Sequence, residues 1–74
     1  MKNRTMTLEQ AYRYVLRRVD RETRKDARFR LKSAKRREKF QFVAWDSYDE
    51  MSSFIAVYGN GKFEETLDGK YRMV

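Results

Sequence analysis

Only fifteen of the 74 residues are Val, Ile, Leu or Phe, and nine of those fifteen follow residue 37. That share lies near the ~20% below which a strongly charged chain stays disordered, so the second half has to supply most of any core. A chain this short buries only about 60% of the surface it exposes when unfolded, which allows a single domain over 1–74 of modest stability. There is no cysteine, so neither disulfides nor thiolate-bound metal can reinforce that core, and a reducing compartment suits it.

The charge is as unevenly placed as the apolar residues. Residues 1–37 carry fourteen Lys and Arg against four acids, a net of +10, whereas residues 38–74 carry four against seven, a net of −3; the two sum to +7. A basic part over 1–38 and an acidic part over 39–74 are therefore expected. Such a field names the sign of a partner rather than a fold: nucleic acid, an anionic membrane surface or an acidic protein. Residues 2–25 hold no apolar run long enough for a signal-peptide core, and no stretch approaches the ~20 apolar residues of a membrane span, so a cytoplasmic location is expected.

Local signals set the elements. Thr7-Leu8-Glu9-Gln10 has the form of a capping box, and Leu8, Ala11, Tyr12, Val15, Leu16 and Val19 follow at steps of three and four, so an amphipathic helix should start here. After Val19 that stripe fades. Thr23 to Asp26 can cap a second helix with Ala27, Leu31 and Ala34 as its thin apolar face; the alternation over 28–32 also fits an edge strand, but residues 24–39 lack Gly, Pro and Asn and favour helix. One or two helical segments are thus expected over about 7–38.

From residue 40 the pattern reads as β. Phe40 to Trp45 is aromatic and β-branched, Ser47-x-x-Glu50 offers a short helical turn, and Phe54 to Tyr58 runs into Gly59-Asn60-Gly61. Phe63 to Leu67 then runs into Asp68-Gly69, where a two-residue turn would pair Leu67 with Lys70, Glu65 with Arg72 and Phe63 with Val74. The expected fold is α+β: the N-terminal amphipathic helix packed on an antiparallel sheet of three or four strands with two tight hairpin turns, Trp45 in its core.

If the basic half is helical, Arg13, Arg17, Arg21, Arg24, Arg28, Lys32, Lys35 and Lys39 recur at steps of three or four and form one cationic stripe opposite the apolar one. Arg18 and Arg36 flank it. Arginine outnumbers lysine eleven to seven, which suits phosphate because the planar guanidinium contacts it bidentately and stacks on bases. Tyr14 stands among Arg17, Arg18 and Arg21, where a base or an arginine can stack on its ring, and Phe29 lies between Arg28 and Arg30. Against this, Glu9–Arg13, Asp20–Arg24 and Asp26–Arg30 are ordinary helix-surface pairs, though three pairs cannot absorb fourteen cations.

Little else in the chain carries chemistry. Without His or Cys, the common nucleophile–base pairs and zinc sites are unavailable. The carboxylate groups Asp46, Asp49, Glu50 and Glu64, Glu65, Asp68 are the only candidates for Mg²⁺, and acids at strand ends are ordinarily just solvated. No glycine opens a helix as a phosphate loop would, and no cofactor motif is present. An amphipathic helix lying on a membrane surface is disfavoured, because its apolar side is short and partly Ala and Tyr.

The expectation is a non-enzymatic module binding DNA or RNA largely without sequence preference, through Arg13, Tyr14, Arg17, Arg18, Arg21, Arg24, Arg28, Lys32, Lys35 and Arg36. The alternative is a small regulator or inhibitor, of the kind phages and mobile elements use against host or defence enzymes, that docks on an acidic or nucleic-acid-binding protein through its charged faces.

Overall fold

The capping box forms as its four letters dictate. In the computed structural model, which describes residues 5–41 and 45–74, the Gln10 N–H donates to Thr7 Oγ1 (3.2 Å) and the Gln10 side chain accepts from the Thr7 N–H (2.9 Å). Helix α1 (Leu8–Leu16) follows, and it buries Ala11, Tyr12, Val15 and Leu16. Two residues ahead of it, β1 (Thr5–Met6) pairs with a strand near the C-terminus, where Thr5 lies opposite Arg72 and Met6 opposite Tyr71.

The fading of the stripe after Val19 marks a real corner. The Asp20 carboxylate accepts from the Thr23 N–H (2.8 Å), so α2 (Arg21–Gln41) starts earlier than the Thr23 cap suggests. That hydrogen bond holds the Asp20 carboxyl below its ordinary range, as expected for an anion at a helix N-terminus. Arg24 closes the corner from the other side, its Nε donating to the Leu16 carbonyl and its Nη2 to the Val19 carbonyl, both at 3.1 Å. A cation thus satisfies the orphan carbonyls at the end of α1. The helical alternative for residues 24–39 holds, with Ala27 and Ala34 buried along the thin apolar face.

Where residues 40–58 are described, the β reading does not hold. Phe40 lies in the last turn of α2 with its ring exposed, residues 42–44 lie outside the described set, and Asp46–Tyr58 forms a third helix, α3. Phe54 to Tyr58, expected as a strand, is its last turn and a half. A five-residue apolar run fits strand and helix equally, and here tertiary packing decides: Met51, Phe54 and Ile55, at three- and four-residue steps, form the face against which both α1 and α2 rest. Trp45, expected in the core, is instead the exposed left-handed residue (φ 75°) that precedes α3, its ring edge-on to Tyr48 at 6.0 Å. The expected Ser47–Glu50 cap is replaced by one from α2, since Glu38 Oε2 accepts from both the Ser47 N–H (2.6 Å) and its hydroxyl (2.8 Å).

Gly59-Asn60-Gly61 stops α3 rather than joining two strands. The Gly59 N–H donates to the Ile55 carbonyl (2.8 Å), and a Cβ on Gly59 would stand 2.4 Å from that same oxygen, so no larger residue fits without opening the helix end. Asn60 and Gly61 then take positive φ and swing the chain into β2 (Phe63–Glu65).

The second turn is a hairpin, shifted by one residue from the expected register. Strand β3 (Tyr71–Met73) pairs with β2 so that Phe63 faces Met73, Glu64 faces Arg72 and Glu65 faces Tyr71. The connection has three residues rather than two: Thr66 N–H donates to the Lys70 carbonyl (2.7 Å), and Gly69, at φ 82°, supplies the left-handed position that three-residue hairpins require. Arg72 therefore pairs with Glu64 (2.5 Å), and Glu65 is left to accept from the Tyr48 hydroxyl (2.8 Å), tying the hairpin to α3. The sheet is three-stranded and antiparallel, in the order β1-β3-β2.

The fold is thus α+β but mostly helical, with its core between helices rather than between a helix and a sheet. Ala11, Tyr12, Val15 and Leu16 of α1 meet Met51, Phe54 and Ile55 of α3; Ala27 joins from α2 and Tyr71 from β3. Helices α1 and α2 lean on α3 more than on each other. No helix among the described residues is long and apolar enough to cross a membrane.

Candidate functional site

The separation of α1 from α2 shapes the basic surface. A continuous helix would have laid the cations in one stripe, but the corner at residues 17–20 folds that stripe back on itself. Arg13 and Arg17 now stand on one wall, and Arg24, Arg28 and Lys35 on the other, of an open groove of about 500 Å³. Its floor is apolar: Tyr12 and Leu16 from α1, Leu31 from α2 and Met51 from α3. Glu9 is the one acid among its lining residues.

The remaining residues expected at the site lie elsewhere. Arg21, Lys32 and Arg36 are exposed on α2 outside the groove. Tyr14 is half-buried and turns toward the hairpin, edge-on to Phe63 at 5.6 Å, and the Arg18 guanidinium covers its ring at 3.6 Å from the centroid. Arg18 also donates to the Tyr14 carbonyl (3.2 Å). The pair forms a cation–π contact within the chain, so the stacking surface expected of Tyr14 is already occupied. Phe29 is exposed on α2.

The distribution of ion pairs sets the groove apart from the rest of the surface. Among the described residues the pairs are Arg30–Asp26 (2.8 Å), Arg37–Asp46 (2.7 Å) and Arg72–Glu64, and none involves a lining residue. Arg24 is held by the carbonyls of the α1 terminus. That leaves Arg13, Arg17, Arg28 and Lys35 facing an open groove without an ion-pair partner. Their mutual repulsion is tolerable while solvent screens it and is relieved by an anion. The carboxylates considered for Mg²⁺ do not gather: Asp46 is engaged by Arg37, Glu64 by Arg72, Glu65 by Tyr48 and Asp68 by Thr66, and no cluster of three metal-binding side chains occurs among the described residues.

The floor holds one further anomaly. Tyr12 is 5% exposed and its hydroxyl, fully buried, has no hydrogen-bond partner among the described residues. Burial pushes its pKa above the ordinary 10.0, the Glu50 carboxylate adds to that, and Arg28 opposes it. Removing an unpaired buried hydroxyl relieves a desolvation cost, so Tyr12→Phe should melt at or above the parent temperature, by up to about 1 kcal/mol of stability. Because the folded pKa is the raised one, the hydroxyl stays neutral in the fold after the unfolded chain has begun to ionise. Wild type should then lose stability as pH rises above 10, and Tyr12→Phe should lose less; denaturant titrations at pH 8 and pH 11 measure both. Identical alkaline losses in the two proteins would show that the hydroxyl is not buried unpaired.

No family model, no curated protein and no solved structure matches this chain. Its function has to be read from the groove itself. The floor residues were the part that the charge pattern did not reveal; Leu16 and Leu31 border the cationic positions on their own helices, while Met51 comes from a segment whose helical character was masked by the polar run before it.

Proposed function

We propose that this protein is a small non-enzymatic nucleic-acid-binding module, and that the walls of the α1–α2 groove follow a phosphate backbone. The observation that carries the proposal is the convergence of Arg13, Arg17, Arg28 and Lys35, four cations without ion-pair partners among the described residues, on one open groove. Cations spread as a solvated helix face have no reason to face one another across a groove. Three of the four are arginines, whose forked donors match phosphate oxygens. Contacts of this kind position a backbone without reading bases, so binding is largely independent of sequence. A cytoplasmic location, with access to nucleic acid, belongs to the same reading.

The test is fluorescence anisotropy with labelled DNA and RNA of mixed sequence at low salt. Wild type should bind both, and Arg28→Ala should weaken binding about fivefold to tenfold for every sequence alike. Lys70→Ala, at the hairpin, should leave it unchanged. Failure of wild type to bind either nucleic acid would assign the same cations to the acidic surface of a protein partner, as in a regulator or inhibitor of the phage or mobile-element kind.

A further inference from the structure

We infer that the groove takes a single strand in preference to a duplex, seating an unstacked base on its floor; this rests on the nucleic-acid reading above and narrows it. The outer surface of a duplex presents phosphates and sugars, with the bases stacked inside. Such a surface meets the cationic walls but leaves the apolar floor with nothing to cover it. A single strand offers phosphates and free base faces together. A groove with cations on both rims and Leu16, Leu31 and Met51 between them is complementary to that combination.

Size points the same way. The groove holds about 500 Å³, within the range of sites that take small organic groups, so a single base has the size to enter it, whereas a duplex keeps its base faces stacked inside. Along α2 the wall from Arg24 to Lys35 spans eleven residue steps, roughly 16 Å at the helical rise, enough for a few nucleotides of backbone.

Tyr12 gives the floor part of its ring, while its hydroxyl is sealed beneath it without a hydrogen-bond partner among the described residues, so the floor meets a base face with apolar surface. The ring itself is packed edge-on against Phe54 at 5.2 Å and is not a stacking platform.

The experiment compares three labelled twelve-nucleotide probes at one low salt concentration: a single strand, its blunt duplex, and the same strand with abasic sites throughout. The single strand should bind at least tenfold more tightly than the duplex. Loss of the bases should cost about tenfold, because the phosphates remain and only the floor contact goes. Equal binding of the abasic and intact strands, or tighter binding of the duplex, overturns the inference yet leaves the phosphate-binding module standing. Binding of an acidic amphipathic peptide with no binding of any nucleic acid overturns both.

Discussion

Val15→Asp should abolish the cooperative melt of this domain. Val15 is 2% exposed and sits in the cluster formed by α1, α3 and Tyr71, and no charged residue is buried among the described residues, so no cation is there to neutralise a carboxylate. Burying an unpaired charge costs several kcal/mol, or forces the group to take up a proton at a comparable cost. A domain of this length has only about 4–11 kcal/mol in total, at the usual ~0.05–0.15 kcal/mol per residue. The helical signal in far-UV circular dichroism at neutral pH should therefore collapse. Val15→Ala is the graded control: it removes two methyl groups and leaves a cavity, costing about 2 kcal/mol, and should lower the melting temperature while retaining a single transition. A Val15→Asp protein that melts like wild type would mean that α1 does not rest on α3.

What was legible in the sequence was what neighbouring residues decide among themselves. The capping box Thr7–Gln10 and the steps Ala11, Tyr12, Val15, Leu16 involve contacts within four residues, and α1 follows from them. Composition alone placed helix over residues 24–39. The errors came where a distant partner decides. Phe54 to Tyr58 carries five apolar residues in a row, and only the presence of α1 and α2 on either side of α3 makes it a helix rather than a strand. The two-residue strand Thr5–Met6 exists because Tyr71 and Arg72 lie beside it, sixty-five residues and more along the chain. The hairpin at Asp68-Gly69 was legible as a turn but not in its register, since an added residue in the connection moved the arginine partner from Glu65 to Glu64.

The same division runs through the groove. Its cations were all visible as a periodic stripe, but the stripe presumed one straight helix. The corner at residues 17–20, held by Asp20 and Arg24, is what turns a row of charges into two facing walls. Two of the residues singled out lost their freedom in the process. Arg24 completes the end of α1, and Tyr14 is covered by Arg18. Arg24→Ala should consequently act on stability more than on binding, which separates it from its neighbours in the wall.

Counterion release makes that separation measurable and gives the largest expected effect on binding. Each phosphate neutralised by a bound cation steepens the log–log dependence of affinity on salt by about 0.9 on duplex DNA and about 0.7 on single strands. The four groove cations without ion-pair partners among the described residues, Arg13, Arg17, Arg28 and Lys35, then give a slope of about −3.6 on a duplex or about −2.8 on a single strand. The double variant Arg17→Ala/Arg28→Ala removes one cation from each wall and should flatten the single-strand slope to about −1.4. Reversing both charges to Glu places carboxylates where phosphates belong and should weaken low-salt binding on the order of 100-fold, with the circular dichroism spectrum unchanged because both side chains are exposed and unpaired. Arg72→Ala, whose arginine pairs with Glu64 in the hairpin, should keep the wild-type slope. Anisotropy titrations over a salt series from about 25 to 300 mM resolve these differences, since slopes of this size change affinity by orders of magnitude across that range. Equal slopes for wild type, the double alanine variant and Arg72→Ala would show that the groove is not where phosphate binds.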